Sequence, residues 1–127
     1  MDRDAERDAI VAASWQKVRD DGRVRAELLD LAYAEPRLRQ LFVWTGMAEL
    51  HFSRCTRGRW TWDIPFILSE YGGTYCVWGP SRNESVGRVA TAEEAVALVV
   101  ERLPEGCGPA FVGTPEELAA HEGRHAS

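Results

Sequence analysis

The sequence predicts an α+β domain, in which helices flank a small antiparallel sheet of three or four strands. The spacing of apolar residues carries this prediction, because it follows helical steps near both ends of the chain and alternates with polar residues in the middle. The 127 residues suit a single domain. We divide it into a helical segment at 1–41, a β-rich segment at 42–90, a second helical segment at 91–120 and a tail at 121–127.

Three helices are predicted in the first segment. Over Asp4–Asp20, apolar residues recur at three- and four-residue steps, and Asp21-Gly22 provides a stop. These apolar residues are Ile10, Val11, Trp15 and Val18. A second helix follows at 23–34, and Pro36 opens a third helical element, a short turn that runs through Leu41.

The β-rich segment shows the two-residue alternation of half-buried strands. The alternation predicts strands at 48–53, 60–69, 74–78 and, more weakly, 86–90. Gly72-Gly73 marks a hairpin turn between the second and third of these. Because Pro65 has no N–H to donate, we expect its strand to lie at an edge of the sheet or to bulge there.

Capping motifs predict two helices after the sheet. Thr91-Ala92-Glu93-Glu94 has the spacing of a capping box, and the apolar residues that follow continue at helical intervals until Pro104. Thr114-Pro115-Glu116-Glu117 repeats this arrangement and predicts a short terminal helix with proline in its first turn.

Composition excludes several classes of function. The net charge of −5 argues against a nucleic-acid binder, which needs a basic face. The chain lacks an apolar run of the ~18 residues that span a membrane, and MDRDAERDA at its start is charged where a signal peptide is apolar. We therefore expect a cytoplasmic protein with neither a membrane nor a nucleic-acid partner. Its three cysteines, Cys55, Cys76 and Cys107, are expected to be reduced, with no assigned roles.

Familiar catalytic motifs give little support to an enzyme with a cofactor. His121-Glu122-Gly123-Arg124-His125 matches the zinc motif H-E-x-x-H, but its glycine and its position near the end of the chain favour a polar tail. Four residues of strand separate His51 from Cys55 by ~13 Å, too far for a catalytic pair. With no nucleotide-binding loop or nucleophile elbow either, we expect no metal and no cofactor.

The most informative stretch is 42–84, which combines aromatic, basic and acidic residues. One interpretation is an aromatic core with solvated arginines; the other is a peptide-binding groove, in which rings supply apolar area and arginine binds carboxylates. For the groove we select Trp44, Trp60, Trp62 and Trp78 as lining residues, Arg54 and Arg82 as carboxylate partners, and Glu49, His51 and Asp63 as groups that orient the peptide. His51 is the one candidate for a general base in the protein.

Four blocks in the chain resemble an actinomycete family of natural-product biosynthesis proteins. They are LFVWTGMAELHFSRCT (41–56), WTWDIPFI (60–67), GPSRNE (79–84) and TAEEAVALVVERLPEGCGPAFVGTPEEL (91–118). Within that family, the sequence is similar to the lysinoalanine-forming proteins of the cinnamycin and duramycin lantibiotic pathways. The resemblance covers residues 41–118.

The resemblance implies a lanthipeptide-modifying enzyme that adds a substrate lysine amine to a dehydroalanine of the same peptide. It implies that a hydroxylated aspartate of the substrate takes part in proton transfer, and that the catalytic residue is not fixed by a motif in the protein. The partner would be the modified precursor peptide or its mature product, bound in a groove at a homodimer interface. The alternative is a non-catalytic peptide-binding or immunity protein of a natural-product cluster.

Overall fold

A computed structural model describes residues 3–58, 60–79 and 84–125, and the following account concerns these residues. Three helices come first: α1 (Arg3–Asp21), α2 (Ala26–Ala34) and α3 (Pro36–Arg39). Five strands follow: β1 (Phe42–Gly46), β2 (Glu49–Ser53), β3 (Phe66–Ser69), β4 (Tyr75–Trp78) and β5 (Ser85–Val89). Two helices complete the fold: α4 (Ala92–Glu101) and α5 (Pro115–His125). The predicted α+β class is confirmed.

The helices begin and end close to their predicted positions, for identifiable local reasons. α2 starts at Ala26 rather than at residue 23, because Arg25 has an extended backbone with ψ of 135°. α3 has Pro36 in its first turn, and the Glu35 side chain accepts a hydrogen bond from the Arg37 backbone N–H. It ends at Arg39, before Leu41.

The five strands form one antiparallel sheet in the order β1-β2-β3-β4-β5. The sequence predicts three or four strands, and the additional one is β1, which pairs along its whole length with β2. Gly72 and Gly73, with φ of 89° and 93°, form the predicted turn between β3 and β4.

The predicted strand at 60–69 is shorter than its alternating pattern, because only Phe66–Ser69 joins the sheet. Trp60 and Trp62 have φ of 63° and 52°, a left-handed conformation that cannot continue a strand. The expected edge or bulge at Pro65 is also wrong, since β3 lies in the centre of the sheet. Pro65 is tolerated because it directly precedes the strand and owes no hydrogen bond to it.

The two faces of the sheet have different environments. One face packs against α1 and α4, and its side chains belong to the buried core together with residues of the helices. The strand residues on this face are Val43, Leu50, Phe52, Ile67, Tyr75 and Val77. Because successive side chains point to opposite faces, Phe42, Trp44, Glu49, His51 and Phe66 lie on the face away from these helices.

The C-terminal helices are capped as their sequences predict. Thr91 Oγ1 accepts from the Glu94 backbone N–H at the start of α4. At α5 the capping box is reciprocal, because Thr114 Oγ1 accepts from Glu117 N–H while Glu117 Oε1 accepts from Thr114 N–H. This cap starts a helix that runs to His125, so part of the predicted tail is helical.

Among the described residues, no helix is both long enough and apolar enough to cross a membrane.

Candidate functional site

A continuous stack of five rings covers the sheet face away from the helices. Trp44 and His51 are cross-strand neighbours, and their rings stack with centroids 4.0 Å apart and planes 7° from parallel. His51 also stacks on Phe66 at 4.5 Å. On the other side, Trp60 stacks on Trp44 at 5.6 Å and on Phe42 at 5.0 Å. The order of rings is therefore Phe42, Trp60, Trp44, His51 and Phe66.

Trp62 forms the outer surface of this aromatic stack. Its ring stands edge-on to Trp44, with centroids 5.4 Å apart and an angle of 78°, and edge-on to His51 at 5.5 Å. With 42% of its surface exposed, Trp62 is one of the few large apolar side chains of the described chain that faces solvent. A ligand that approaches this face would meet Trp62 first.

A buried pair of titratable side chains, His51 and Glu49, lies on this face. His51 Nε2 and Glu49 Oε1 are 2.9 Å apart, and the two residues keep only 3% and 8% of their surface exposed. Both side chains point to the same face because they are two residues apart on β2. Groups that ionise are rarely buried unless they are paired, so this pair is a marked chemical feature of the sheet.

Strained backbone surrounds the same face. Four residues other than glycine adopt the left-handed conformation in the described chain: Met47, Ala48, Trp60 and Trp62. The first two form the turn between β1 and β2, and the other two aim their indoles at the sheet. Such conformations cost about 1–2 kcal/mol for each residue with a side chain, and they concentrate at functional sites.

Arg54 fixes the segment between β2 and β3 that carries Trp60 and Trp62, which we call the tryptophan segment. Its Nε and Nη2 donate to Asp63 Oδ2 at 2.6 and 2.5 Å, and its Nη1 donates to Glu122 Oε2 at 2.9 Å. Its backbone N–H donates to Thr61 Oγ1 at 3.1 Å. Burial by itself lowers the pKa of Arg54, but the hydrogen bonds and charges of Asp63 and Glu122 outweigh this effect and raise it. The carboxylates that Arg54 binds here are the protein's own.

The segment is also tied to the C-terminal part of the chain. Arg57 N–H donates to the Gly113 carbonyl at 2.8 Å, and Phe111 N–H donates to the Arg54 carbonyl, also at 2.8 Å. Gly58, with φ of 84°, lies so close to α5 that a Cβ atom would be 3.0 Å from Pro115 Cδ. The start of the tryptophan segment is thus anchored on residues 111–115.

Two buried polar atoms of the site lack a hydrogen-bond partner among the described residues: Trp44 Nε1 and Asp63 Oδ1. One is a donor and the other an acceptor. A buried polar atom without a partner costs free energy, and natural proteins keep few of them.

Most of the predicted site residues come together. The aromatic face with its buried Glu49–His51 pair brings together Trp44, Trp60, Trp62, Glu49 and His51. Arg54 and Asp63 form the adjoining ion pair, and Trp78 is the cross-strand neighbour of Phe66 on the same face, half-buried. Arg82 lies outside the described residues.

Sequence reasoning missed Phe42 and Phe66, which extend the ring stack at both ends. The signal for Phe42 was its two-residue spacing from Trp44, which places both on one face of a strand. For Phe66 no comparable signal existed, because its contact with His51 depends on which strand lies beside β2.

The cysteines and the H-E-x-x-H motif take other roles. Burial raises the pKa of the Cys55 thiol, and a raised pKa opposes its use as a nucleophile. The Cys55 backbone N–H donates to Ser53 Oγ at 3.2 Å. His121 packs against the Phe111 ring with centroids 5.1 Å apart, while Glu122 binds Arg54. Across the described ranges, no group of three or more His, Cys, Asp and Glu side chains could hold a metal ion.

The fold and this site define an α+β domain with one helix-covered sheet face and one aromatic face. The chain belongs to a family of unknown function, DUF6193, whose model matches residues 9–114. The match includes all five strands and therefore the whole ring stack. No curated protein and no solved structure matches the chain.

Proposed function

We propose that the aromatic face binds a modified precursor peptide, and that the protein closes a lysinoalanine cross-link in it. The observation that carries the binding proposal is the stack of five rings with Trp62 standing exposed above it. Aromatic rings give large contact area at a small cost in side-chain entropy, as peptide-binding surfaces require. The lysinoalanine reaction rests on the sequence resemblance across residues 41–118.

In the proposed reaction, the free amine of a substrate lysine adds to the β-carbon of a dehydroalanine. A new C–N bond forms, the amine nitrogen loses a proton, and the α-carbon gains one, so the reaction is an isomerisation. With a reference pKa of ~10.4, a lysine is neutral in about one molecule in 2,500 at pH 7, a cost of roughly 4.6 kcal/mol. Holding the amine and the acceptor together supplies about 7–11 kcal/mol. Positioning can therefore exceed the cost of deprotonation.

His51 fits a positioning role better than the role of a surface base. Its ring lies between Trp44 and Phe66, its Nε2 faces Glu49, and 3% of its surface is exposed. A lysine amine could reach it only if Trp62 moved. We therefore retain the hydroxylated aspartate of the substrate as the group that takes the proton, and Glu49 and His51 as the polar floor of the site.

The proposal includes a homodimer with the groove at its interface, located in the cytoplasm where precursor peptides are made and modified. A buried donor, Trp44 Nε1, and a buried acceptor, Asp63 Oδ1, lack partners among the described residues, which is consistent with a polar ligand such as a peptide backbone. The rival proposal is a protein that binds the peptide without changing it, as an immunity protein or a scaffold does.

The test follows two functional groups of the substrate, because an isomerisation leaves the mass unchanged. The dehydrated, ring-containing precursor is incubated with the protein and then treated with a thiol and with an amine-labelling reagent. We expect both the dehydroalanine and the lysine to lose their reactivity. The lysinoalanine proposal fails if thiol capture proceeds at the rate seen without protein and the lysine stays labelable. Binding without reaction would support the rival.

Variants then locate the site and the proton acceptor. Trp62→Ala should weaken peptide binding at least tenfold, whereas Tyr33→Ala, which removes a ring of similar exposure (40%) from the helical layer, should leave it within twofold. His51→Gln keeps a hydrogen-bond donor near Glu49 but removes the base. A loss of about 100-fold or more in rate would assign proton transfer to His51. A near-normal rate supports the substrate's own group.

A further inference from the structure

A second surface lies on the helical layer, opposite the aromatic face. It is a groove of about 470 Å³ between α2 and α4. From α4 it is lined by Glu93, Val96, Ala97, Val100 and Glu101, and from α2 and its C-cap by Leu31, Ala34 and Glu35. These residues follow the helical steps i, i+3, i+4, i+7 and i+8 on α4 and i, i+3 and i+4 on α2, so each helix contributes one continuous stripe.

The floor of the groove is apolar and its rim is acidic. Ala34 and Ala97 are exposed, and Leu31 and Val100 are half-buried, although aliphatic side chains like these are usually buried in a core. Glutamates stand on the rim at Glu35, Glu93 and Glu101. None of them forms a salt bridge with a cation of the described chain; Glu35 instead accepts from a backbone N–H.

The two helices that line the groove, α2 and α4, carry further negative charge. α2 and α4 together contain five carboxylates and no lysine, arginine or histidine. Among the described residues, only Asp30 of these five has a salt-bridge partner, Arg19 at 2.9 Å. Part of the chain's acidic excess is therefore gathered around an apolar groove.

We propose that this groove binds a basic amphipathic helix of a partner protein. Apolar side chains of the partner would fill the floor, and its lysines or arginines would face the glutamates of the rim, which is the helix-in-groove arrangement. The stripe from Glu93 to Glu101 is ~12 Å long at 1.5 Å per residue, which matches two to three turns of a partner helix. The inference is independent of the reaction at the aromatic face.

A second copy of this chain is a poorer occupant. A two-fold dimer through the groove would place identical surfaces together, so that uncompensated glutamates of one copy would face those of the other. Like charges brought together in an interface are unfavourable. Charge therefore favours a partner of opposite sign.

The test uses a defined probe, a fluorescent 14-residue peptide of lysine and leucine with leucine at helical spacing. Its matched control has glutamate in place of lysine. Fluorescence anisotropy with the unsubstituted protein measures the dissociation constant of each peptide. We expect the basic peptide to bind at least tenfold more tightly than the acidic one. Absence of binding, or equal binding of both peptides, overturns the proposal.

Two double variants of equal charge locate the site. Glu93→Gln with Glu101→Gln should weaken binding of the basic peptide about fivefold or more, since two partly screened ion pairs are lost. Glu105→Gln with Glu116→Gln changes the net charge equally at exposed positions outside the groove and should weaken binding less than twofold. Equal effects of the two double variants would mean diffuse attraction to an acidic protein, and would refute the site.

A third variant separates the floor from the rim. Ala97→Phe fills the groove without a change in charge and should weaken binding at least tenfold, while circular dichroism confirms the fold. Undiminished binding by this variant contradicts the groove. Light scattering tests whether a second copy of the chain occupies the groove, by comparing the unsubstituted protein with the Glu93→Gln, Glu101→Gln double variant. Self-association that depends on these glutamates would assign the groove to a second copy.

Discussion

Removal of the Arg54 guanidinium should release the segment that carries Trp60 and Trp62. Arg54→Met keeps the aliphatic stem of the side chain but removes every charged hydrogen bond to Asp63 and Glu122. The two bonds to Asp63, at 2.6 and 2.5 Å, end on a single oxygen, Oδ2. They join residues that are nine positions apart and therefore close the tryptophan segment into a loop.

Exposure decides how much each part of this ion-pair network contributes. The Arg54 and Asp63 side chains are 20% and 31% exposed, whereas Glu122 is 54% exposed. Charged hydrogen bonds in protected positions contribute about 1.5–3 kcal/mol, and exposed ion pairs about 0.2–1 kcal/mol. We therefore expect Arg54→Met to lower the free energy of unfolding by about 2–3 kcal/mol, mostly through Asp63.

A double-mutant cycle measures the Arg54–Asp63 interaction directly. The cycle compares Arg54→Met, Asp63→Asn and the double variant in urea unfolding followed by tryptophan fluorescence. A coupling energy of about 1–2 kcal/mol is expected. The matched control is the Arg102–Glu84 pair, at 3.2 Å with side chains 48% and 62% exposed, whose coupling should stay below about 0.5 kcal/mol.

A coupling energy for Arg54 and Asp63 no larger than that of the control would refute this reasoning. Arg54 would then be free to bind a carboxylate of the peptide, as the sequence predicts. In that case Arg54→Met should weaken peptide binding while the free energy of unfolding stays unchanged. If the role of Arg54 is structural, Arg54→Met lowers the free energy of unfolding, and Asp63→Asn reproduces most of that loss.

Three further predictions concern the frame around the site. Met47→Asn with Ala48→Gly should raise the free energy of unfolding by about 0.5–2 kcal/mol, measured in urea, because both residues adopt the left-handed conformation that asparagine and glycine favour. Arg88, whose hydrogen bond lowers the pKa of the Glu70 carboxyl below its ordinary 4.5, stabilises the fold above that pH and loses this contribution as the pH falls through the lower value. Urea midpoints of Arg88→Leu should consequently depend less on pH below 4.5 than those of the unsubstituted protein. Thr91→Ala should destabilise the protein by about 1 kcal/mol and Thr91→Asp should restore the loss, since both threonine and aspartate accept at the N-cap of α4.

The helices could be predicted because their signals are local. The capping box at Thr91 and the proline at position 36 act within four residues of themselves, and both appear in the structure as predicted. β1 was missed because its turn is unusual. Met47 and Ala48 occupy a two-residue turn with φ of 52° and 67°, where asparagine and glycine are the expected residues, so no hairpin signal marks the strand.

The pattern around Trp60 and Trp62 misled for a different reason. These rings alternate with polar residues as strand residues do, yet they reach the sheet from a loop whose left-handed residues happen to alternate as well. The partners of Arg54 were also beyond prediction. Glu122 is 68 positions away and meets Arg54 only because α5 packs beside the tryptophan segment.

The positions of Trp60 and Trp62 depend on a close balance between strain and stacking. Their two left-handed conformations cost together about 2–4 kcal/mol. Their four ring contacts, with Phe42, Trp44 twice and His51, return about 2–6 kcal/mol beyond simple burial. Since the two ranges overlap, stacking by itself exceeds the strain by little, and Trp62, which keeps 42% of its surface exposed, is the ring that a ligand with its own apolar surface would displace at the smallest cost. Such displacement would also uncover the Glu49–His51 pair, so access to these buried groups depends on the position of one ring.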